Sequence, residues 1–236
     1  MTDQKPLLEL INLSKSYVSA SENINPLRDI NIKIYKGQFI AVVGRSGSGK
    51  TTLLNVMAGL DKPTSGDILI NGSNITAMDE NSLTEIRRTT IGFIFQSFGL
   101  LPLLSAFENV ELPLRISGVE HGERSNRTKE ALDIVGLNPR SNHRPYELSG
   151  GEQQRVSIAR AIVTKPAIIL ADEPTGELDS TNAKSIFGLF KDMVVEQGMT
   201  IIAATHDSSL LSMADEVKEI RNGGLYEVQS EDQRYR

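Results

Sequence analysis

The stretch Gly44-Arg45-Ser46-Gly47-Ser48-Gly49-Lys50-Thr51 restricts what this chain can fold into more than any other. It follows the apolar run from Gln38 to Val43 and leads into Thr52-Leu53-Leu54-Asn55-Val56-Met57-Ala58-Gly59. The order predicts a short buried strand, a glycine-rich turn and a helix. Glycines at 44, 47 and 49 let the backbone curl until successive N–H groups point at one anion, with no Cβ atoms in the way. The helix behind the turn adds unpaired N–H groups and the positive end of its dipole. Lys50 brings a full positive charge, and the Thr51 hydroxyl suits Mg²⁺. The stretch therefore predicts a phosphate-binding loop (P-loop) for a nucleoside triphosphate, with Gly44 through Thr52 as binding residues. A dinucleotide fingerprint is excluded, because Gly47-Ser48-Gly49 is followed by Lys50-Thr51-Thr52 and no third glycine.

Composition bounds the partners. With 236 residues, 39% hydrophobic and 23% charged, the chain has the make-up of a soluble globular protein able to bury a sizeable core. A net charge of −5 argues against a general nucleic-acid binder. The absence of cysteine excludes disulfides and thiolate chemistry. Met1 to Pro6 is polar and lacks the apolar core of a signal peptide. No apolar run approaches bilayer length, so a role at a membrane is expected to run through a partner.

Along the chain, Leu7–Leu13 and Ile30–Ile34 read as strands, with a loop over the Ser/Asn-rich stretch Ser19–Pro26. Asp67–Ile70 with Asn71-Gly72 reads as half of a hairpin. A short helix is predicted from Asn81 to Arg88, then the strand Ile91–Phe95 ending at Gln96. From 97 to 163 helical signals dominate. Thr128–Val135 is closed by Gly136, and Ser149-Gly150-Gly151-Glu152 has capping-box spacing ahead of a helix that ends by Pro166. Ala167–Ala171 is an apolar run suited to a strand covered on both faces. A helix through Ile186, Phe190 and Val194, capped at Gly198, the strand Thr200–Thr205 and a hairpin at Asn222-Gly223-Gly224 complete the pattern. Strands alternating with helices predict an α/β protein with a mostly parallel sheet and an antiparallel flap. Residues 1–96 and 164–229 are expected to form the core, 97–163 a helical insertion and 230–236 a frayed tail, within one domain.

Asp172 and Glu173 close the run 167–171. At the end of a parallel strand beside a P-loop, the first acid can hold Mg²⁺ and the second can take a proton from an attacking water.

Leu148-Ser149-Gly150-Gly151-Glu152-Gln153-Gln154-Arg155 matches the signature motif of the ATP-binding cassette (ABC) ATPases. Gln96 sits where that family has its Q-loop, and His206, after the strand 200–205, matches its switch histidine. Pro174–Asp179 resembles its D-loop, and Tyr17 matches the aromatic that stacks on adenine. Order and spacing hold over nearly the whole chain, which thus resembles an ABC ATPase. The resemblance implies a P-loop NTPase with a RecA-like core, an antiparallel β subdomain and an inserted helical subdomain.

It also implies ATP and Mg²⁺ as cofactors, with Thr51, Gln96 and Asp172 around the metal. Glu173 would be the catalytic base, and Lys50, Gln96 and His206 would position or stabilise the transferring group. The signature residues Leu148 to Gln153 would act in trans, on ATP held by a second copy paired head to tail, with the D-loop Asp179 at that interface. A serine-capped helix start with two glycines is itself a second anion-binding surface. The remaining implied partner is a membrane permease, with no nucleic acid. That places the chain in the cytoplasm, peripheral on the inner face of the membrane.

Phe95–Pro102, Glu108–Pro113 and Ala171–Gly176 look like the macrolide-export, lipoprotein-release and cell-division branch. Glu177 departs from it, standing where that branch usually has asparagine. The C-terminal regulatory domain of many sugar importers is not expected. Much of the segment Phe98–Leu104 is expected to pack under the helical subdomain; either all of it is core, or, as the resemblance implies, part of it lines a groove for a permease helix. A non-transport role, signalling to or gating a membrane partner, would use the same chemistry. Chromosome-maintenance and translation ATPases fit less well, lacking here a coiled-coil insertion and a duplicated cassette respectively.

Overall fold

Side-chain alternation along the first two strands suits an antiparallel sheet with one buried face. In the computed structural model, which describes residues 5–18 and 23–228, β1 (Leu8–Val18) lies between β2 (Asn23–Ile34) and β4 (Ser65–Ile70). The two-residue β5 (Ser73–Asn74) completes this sheet, in the order β2-β1-β4-β5. Leu8, Leu10 and Leu13 of β1 and Leu27, Ile30 and Ile34 of β2 are buried together. The expected loop over Ser19–Pro26 is corrected in part: β2 begins at Asn23, and residues 19–22 lie outside the described residues. The polar tip of this hairpin is held by the backbone ladder and by Ser16 Oγ donating to Asn25 Oδ1 at 2.5 Å, neither of which shows in apolar periodicity. The expected tail at 230–236 also lies outside the described residues.

The second sheet holds β3 (Phe39–Val43), β6 (Ile91–Ile94), β7 (Ile168–Asp172), β8 (Thr200–Thr205), β9 (Glu216–Arg221) and β10 (Gly224–Glu227), in the order β10-β9-β3-β8-β7-β6. Every pairing is parallel except the β9–β10 hairpin, whose turn residues Asn222 and Gly223 both have positive φ. β3, β7 and β8 are buried at every residue, as their unbroken apolar runs require. Alternate side chains enter opposite layers. Ile40, Val42, Leu170 and Ile202 pack with α1 (Lys50–Met57) and the antiparallel sheet. Phe39, Ile169 and Ile201 pack toward α6 (Ser180–Gln197), where Phe39 meets Phe187 and Phe190 at centroid separations of 5.7 and 6.1 Å. A further helix, α2 (Glu80–Thr89), leads into β6.

Between residues 97 and 163 the regular elements are helical: α3 (Ala106–Ile116), α4 (His121–Ile134) and α5 (Gly150–Ile162), with two short 3₁₀ turns. The first turns of α4 escape apolar periodicity because His121 to Arg127 are polar; Glu120 caps them by accepting from the Gly122 N–H at 2.8 Å. The helices share one apolar core with the α6 face of the sheet, through Val110, Leu132, Val156 and Ala159. Among the described residues no helix is long and apolar enough to cross a membrane.

The junction between helices and sheet is tight at Gly92 of β6. A Cβ there would stand 2.4 Å from the Ala161 carbonyl oxygen of α5 and 3.1 Å from Pro166 Cγ. Gly92→Ala should therefore push α5 off the sheet and destabilise the protein by roughly 1–3 kcal/mol, read by urea denaturation. Wild-type stability in that variant would show that the junction yields freely.

Candidate functional site

The glycine-rich loop leaves β3 and closes onto the start of α1. Gly44 and Gly49 cannot be replaced by any other residue without movement. A Cβ on Gly44 would lie 2.5 Å from Ser48 Oγ and 2.8 Å from the Ile220 carbonyl; one on Gly49 would lie 2.6 Å from the Pro26 carbonyl. Both also have positive φ, 157° and 109°, the latter in the left-handed region. Arg45, Ser46 and Gly47 stand exposed at the crest. A cleft of about 740 Å³ runs along Arg45–Ser48, bounded by Asn25, Arg28 and Arg221.

Lys50 is 6% exposed, and its ammonium donates to the Gly44 carbonyl at 3.0 Å. It also makes an ion pair with Glu173 Oε1 at 3.1 Å. Glu173 leaves β7 with φ 47°, an uncommon value for a residue with a side chain. Its second oxygen, Oε2, meets His206 Nδ1 at 2.7 Å, just past the end of β8. Three parallel strands thus deliver Lys50, Glu173 and His206 to one spot at their carboxyl ends.

Asp172, the last residue of β7, is buried, and its Oδ1 has no hydrogen-bond partner. Burial pushes its carboxyl above the ordinary range; the Thr51 hydroxyl opposes this, the Glu173 charge adds to it, and Lys50 opposes it. A buried carboxylate oxygen without a partner beside a hydroxyl forms a hard, all-oxygen donor pair that fits Mg²⁺. Among the described residues no cluster of three or more acidic, His or Cys side chains could hold a metal unaided, so two protein donors would need oxygens from phosphate and water.

Gln96 is exposed just beyond β6, and its Nε2 lies 3.3 Å from the place a Cβ would take on Gly176. It therefore reaches the Glu173–Gly176 turn. The next residues are pinned by half-buried Arg160, which donates to the Phe98 and Gly99 carbonyls at 2.9 and 2.5 Å. Tyr17, near the end of β1, is 42% exposed.

The signature stretch starts α5 as the spacing predicts. Ser149 is the N-cap, its Oγ accepting from the Glu152 N–H at 3.3 Å, while Glu152 Oε2 accepts from the Ser149 N–H at 2.8 Å. These bonds from Ser149 hold the Glu152 carboxyl below its ordinary value. Leu148 is buried, and its carbonyl accepts from Gln153 Nε2 at 3.1 Å. A Cβ on Gly150 would meet Leu178 at 3.7 Å and Phe98 at 3.8 Å, and one on Gly151 would meet Asn182 Oδ1 at 2.8 Å. These nearest neighbours lie on the turn ahead of α6, on α6 itself and after β6, not on the glycine-rich loop. Asp179 caps α6, accepting from the Thr181 and Asn182 N–H groups at 3.0 and 2.9 Å, and takes a further bond from Asn182 Nδ2 at 2.6 Å. Asn182 is thus the unforeseen link between the D-loop and the signature helix. The sequence offers no signal for it beyond its place in the first turn of α6.

A parallel sheet, a P-loop at the carboxyl end of its central strand and acids on a neighbouring strand define a P-loop ATPase. The comparisons narrow this further. Residues 27–176 match the family described as ABC transporter. The chain belongs to that family, as an ABC-type ATPase. It is 42% identical over 221 residues, 94% of each chain, to an uncharacterized ABC transporter ATP-binding protein of Thermotoga maritima. It is 45% identical to the macrolide export ATP-binding/permease protein MacB of Vibrio parahaemolyticus, over 93% of this chain but 33% of that one. The chain thus spans about a third of the MacB-type relative. Among solved structures it is similar to the ATP-binding cassette MJ0796, described as a dimer in a post-hydrolysis state bound to ADP and Pi. The TM-score is 0.86 at 40% identity, covering 94% of this chain and 99% of that one.

Proposed function

We propose that two copies of this chain pair head to tail around two Mg·ATP and drive a separate membrane permease, in an export system of the macrolide or lipoprotein-release type. The observation that carries this reading is the division of the site. Lys50, Asp172, Glu173 and His206 converge on one P-loop, while the nearest neighbours of Gly150 and Gly151 at the start of α5 are Leu178, Phe98 and Asn182. A second copy supplies the missing half of each site. The MJ0796 cassette is described as dimeric, and MacB as an export ATP-binding/permease protein; both support the reading.

In the chemical step, the Glu173 carboxylate takes a proton from the attacking water as its oxygen bonds to the γ-phosphorus and the bond to the departing ADP oxygen breaks. His206 holds Glu173 in place through the 2.7 Å contact, and Lys50 neutralises charge gathering on the phosphoryl oxygens. Thr51 and Asp172, with Gln96 nearby, would hold Mg²⁺, which supplies charge neutralisation at the phosphates.

The permease surface is assigned to a groove of about 460 Å³ between the α2 side of the core and α3, lined by Phe93, Phe95, Leu112, Pro113 and Ile116. The segment Phe98–Leu104 contributes little to this groove. Of that segment only Gly99 borders the groove, while Leu100 packs on the core and Leu101 and Leu103 stand exposed outside it. The left-handed turn at Phe98-Gly99, held by Arg160, redirects the chain. Ile116 is 63% exposed at the groove rim. Ile116→Asp should leave the basal ATPase rate of the isolated protein within about twofold, because it lies away from the site. It should reduce co-purification with the permease by about tenfold or more. A complex that survives this change, and Phe95→Ser beside it, removes the groove from the interface.

A further inference from the structure

Tyr17 stands in a polar triangle that ties it to the far end of the P-loop helix. Its hydroxyl donates to Asp61 Oδ2 at 2.6 Å. Lys15 Nζ donates to Asp61 Oδ1 at 2.6 Å and to the Lys62 carbonyl at 2.7 Å. Despite the register shift between them on β1, Lys15 and Tyr17 share a face, and the ammonium lies 4.8 Å from the centroid of the Tyr17 ring. Asp61 belongs to the turn that leaves α1, where its own N–H donates to the Asn55 carbonyl at 3.3 Å. The Lys15 side chain is 12% exposed and that of Asp61 31%, while Tyr17 is 42% exposed, so the ammonium is the sheltered corner and the ring the open one.

Protonation is consistent with the geometry. Burial, together with the bond to Asp61, pushes the Tyr17 phenol up and keeps it a donor. Burial works against the Asp61 carboxylate, but the bonds from Lys15 and Tyr17 outweigh it and hold the carboxyl below its ordinary value. The Thr52 side chain also bonds the phenol and works against the rise, and Lys15 reaches the Lys62 carbonyl, so the group is tied to both ends of α1.

We propose that Asp61 is a positioning residue for the nucleotide base: with Lys15 it fixes the Tyr17 ring as a platform, one face covered by the ammonium and the other open to a purine. The proposal rests on the reading of Tyr17 as the residue that stacks on the base. Asp61 also joins the platform to the helix that starts at Lys50, so base and phosphate contacts sit on one rigid unit. Because the phenol proton is committed to Asp61, the platform reads no base edge. It accepts a purine by its flat surface, and ATP and GTP alike.

The test uses the full chain with Tyr17→Ala, Asp61→Ala and Asp61→Asn. It measures steady-state hydrolysis of Mg·ATP and Mg·GTP, and inhibition by Mg·tripolyphosphate, which carries no base. Tyr17→Ala should raise KM for both nucleotides about tenfold or more, the range expected for one lost stacking contact. Asp61→Ala should raise KM by about fivefold, with kcat within about twofold, since a uniform binding contact is lost. Asp61→Asn keeps an acceptor for the phenol and should recover most of the affinity. The double variant Tyr17→Ala/Asp61→Ala should be no worse than Tyr17→Ala alone, because the two residues act as one unit. Inhibition by tripolyphosphate should not change in any of them. An unchanged KM in Asp61→Ala, with Tyr17→Ala impaired, overturns the positioning role and leaves the stacking reading standing. An unchanged KM in Tyr17→Ala defeats the stacking reading itself, and the proposal with it. Tripolyphosphate inhibition weakened in step with KM would place the effect of Asp61 in the phosphate loop and overturn the proposal too.

Discussion

Lys50→Ala should weaken ATP binding by at least about 100-fold, or about 2.7 kcal/mol, when measured by calorimetry. The ammonium is buried, held by the Gly44 carbonyl and poised at the loop crest, so its contact with phosphate would be charge-assisted and sheltered from water. The substitution has a second consequence. It leaves Glu173, whose side chain is only 12% exposed, with His206 as its remaining partner. Stripping one member from a buried ion pair destabilises the fold, so lost binding could be confused with lost structure. The double variant Lys50→Ala/Glu173→Gln separates the two. It should regain thermal stability, because no stranded charge remains, and should still fail to bind ATP. Normal ATP affinity in the stable double variant would refute the assignment of Lys50.

Glu173→Gln should lower hydrolysis by at least ~100-fold, or ~2.7 kcal/mol of barrier, because the amide keeps the shape of the side chain and cannot take the proton. Binding should survive and is measured in the same preparation. The ion pair suggests the direction: Glu173 is the anion that Lys50 neutralises at 3.1 Å, and a phosphate competes for the same ammonium. Removing the carboxylate charge removes that competitor, so ATP should bind at least as tightly as to the wild type. With hydrolysis blocked, the protein should elute from gel filtration in Mg·ATP as a dimer. Elution as monomer alone, at concentrations where ATP saturates the site, would count against the head-to-tail dimer.

Local chemistry made much of this protein legible from its residues in order. A curled glycine loop needs only adjacent residues, and Gly44 to Thr51 announces it. Unbroken apolar runs at 39–43, 168–171 and 201–204 encode strands covered on both faces, because burial on both sides removes the polar alternation. The Ser149–Glu152 capping box closes within a single turn of helix. In each case the interacting groups are neighbours along the chain, so spacing alone carries the information. Where backbone pairing rather than apolar patterning makes the element, as in β2 from Asn23, the same reading stops short.

Tertiary structure decided whatever depends on strands crossing between layers. Lys50, Glu173 and His206 meet because parallel strands end side by side, and the sheet order β3-β8-β7 sets which ends are neighbours. Tyr17 and Asp61, 44 residues apart, meet because β1 packs over the exit of α1. Gly151 faces Asn182, and Gly92 faces Ala161, because helix and sheet backbones come close enough to exclude a Cβ. The sequence by itself determined which groups the chain would gather around the glycine-rich loop. Which carboxylate Lys50 faces, which residue the Tyr17 hydroxyl meets and which residues line the groove followed from packing, since each distance is fixed by elements far apart in the chain.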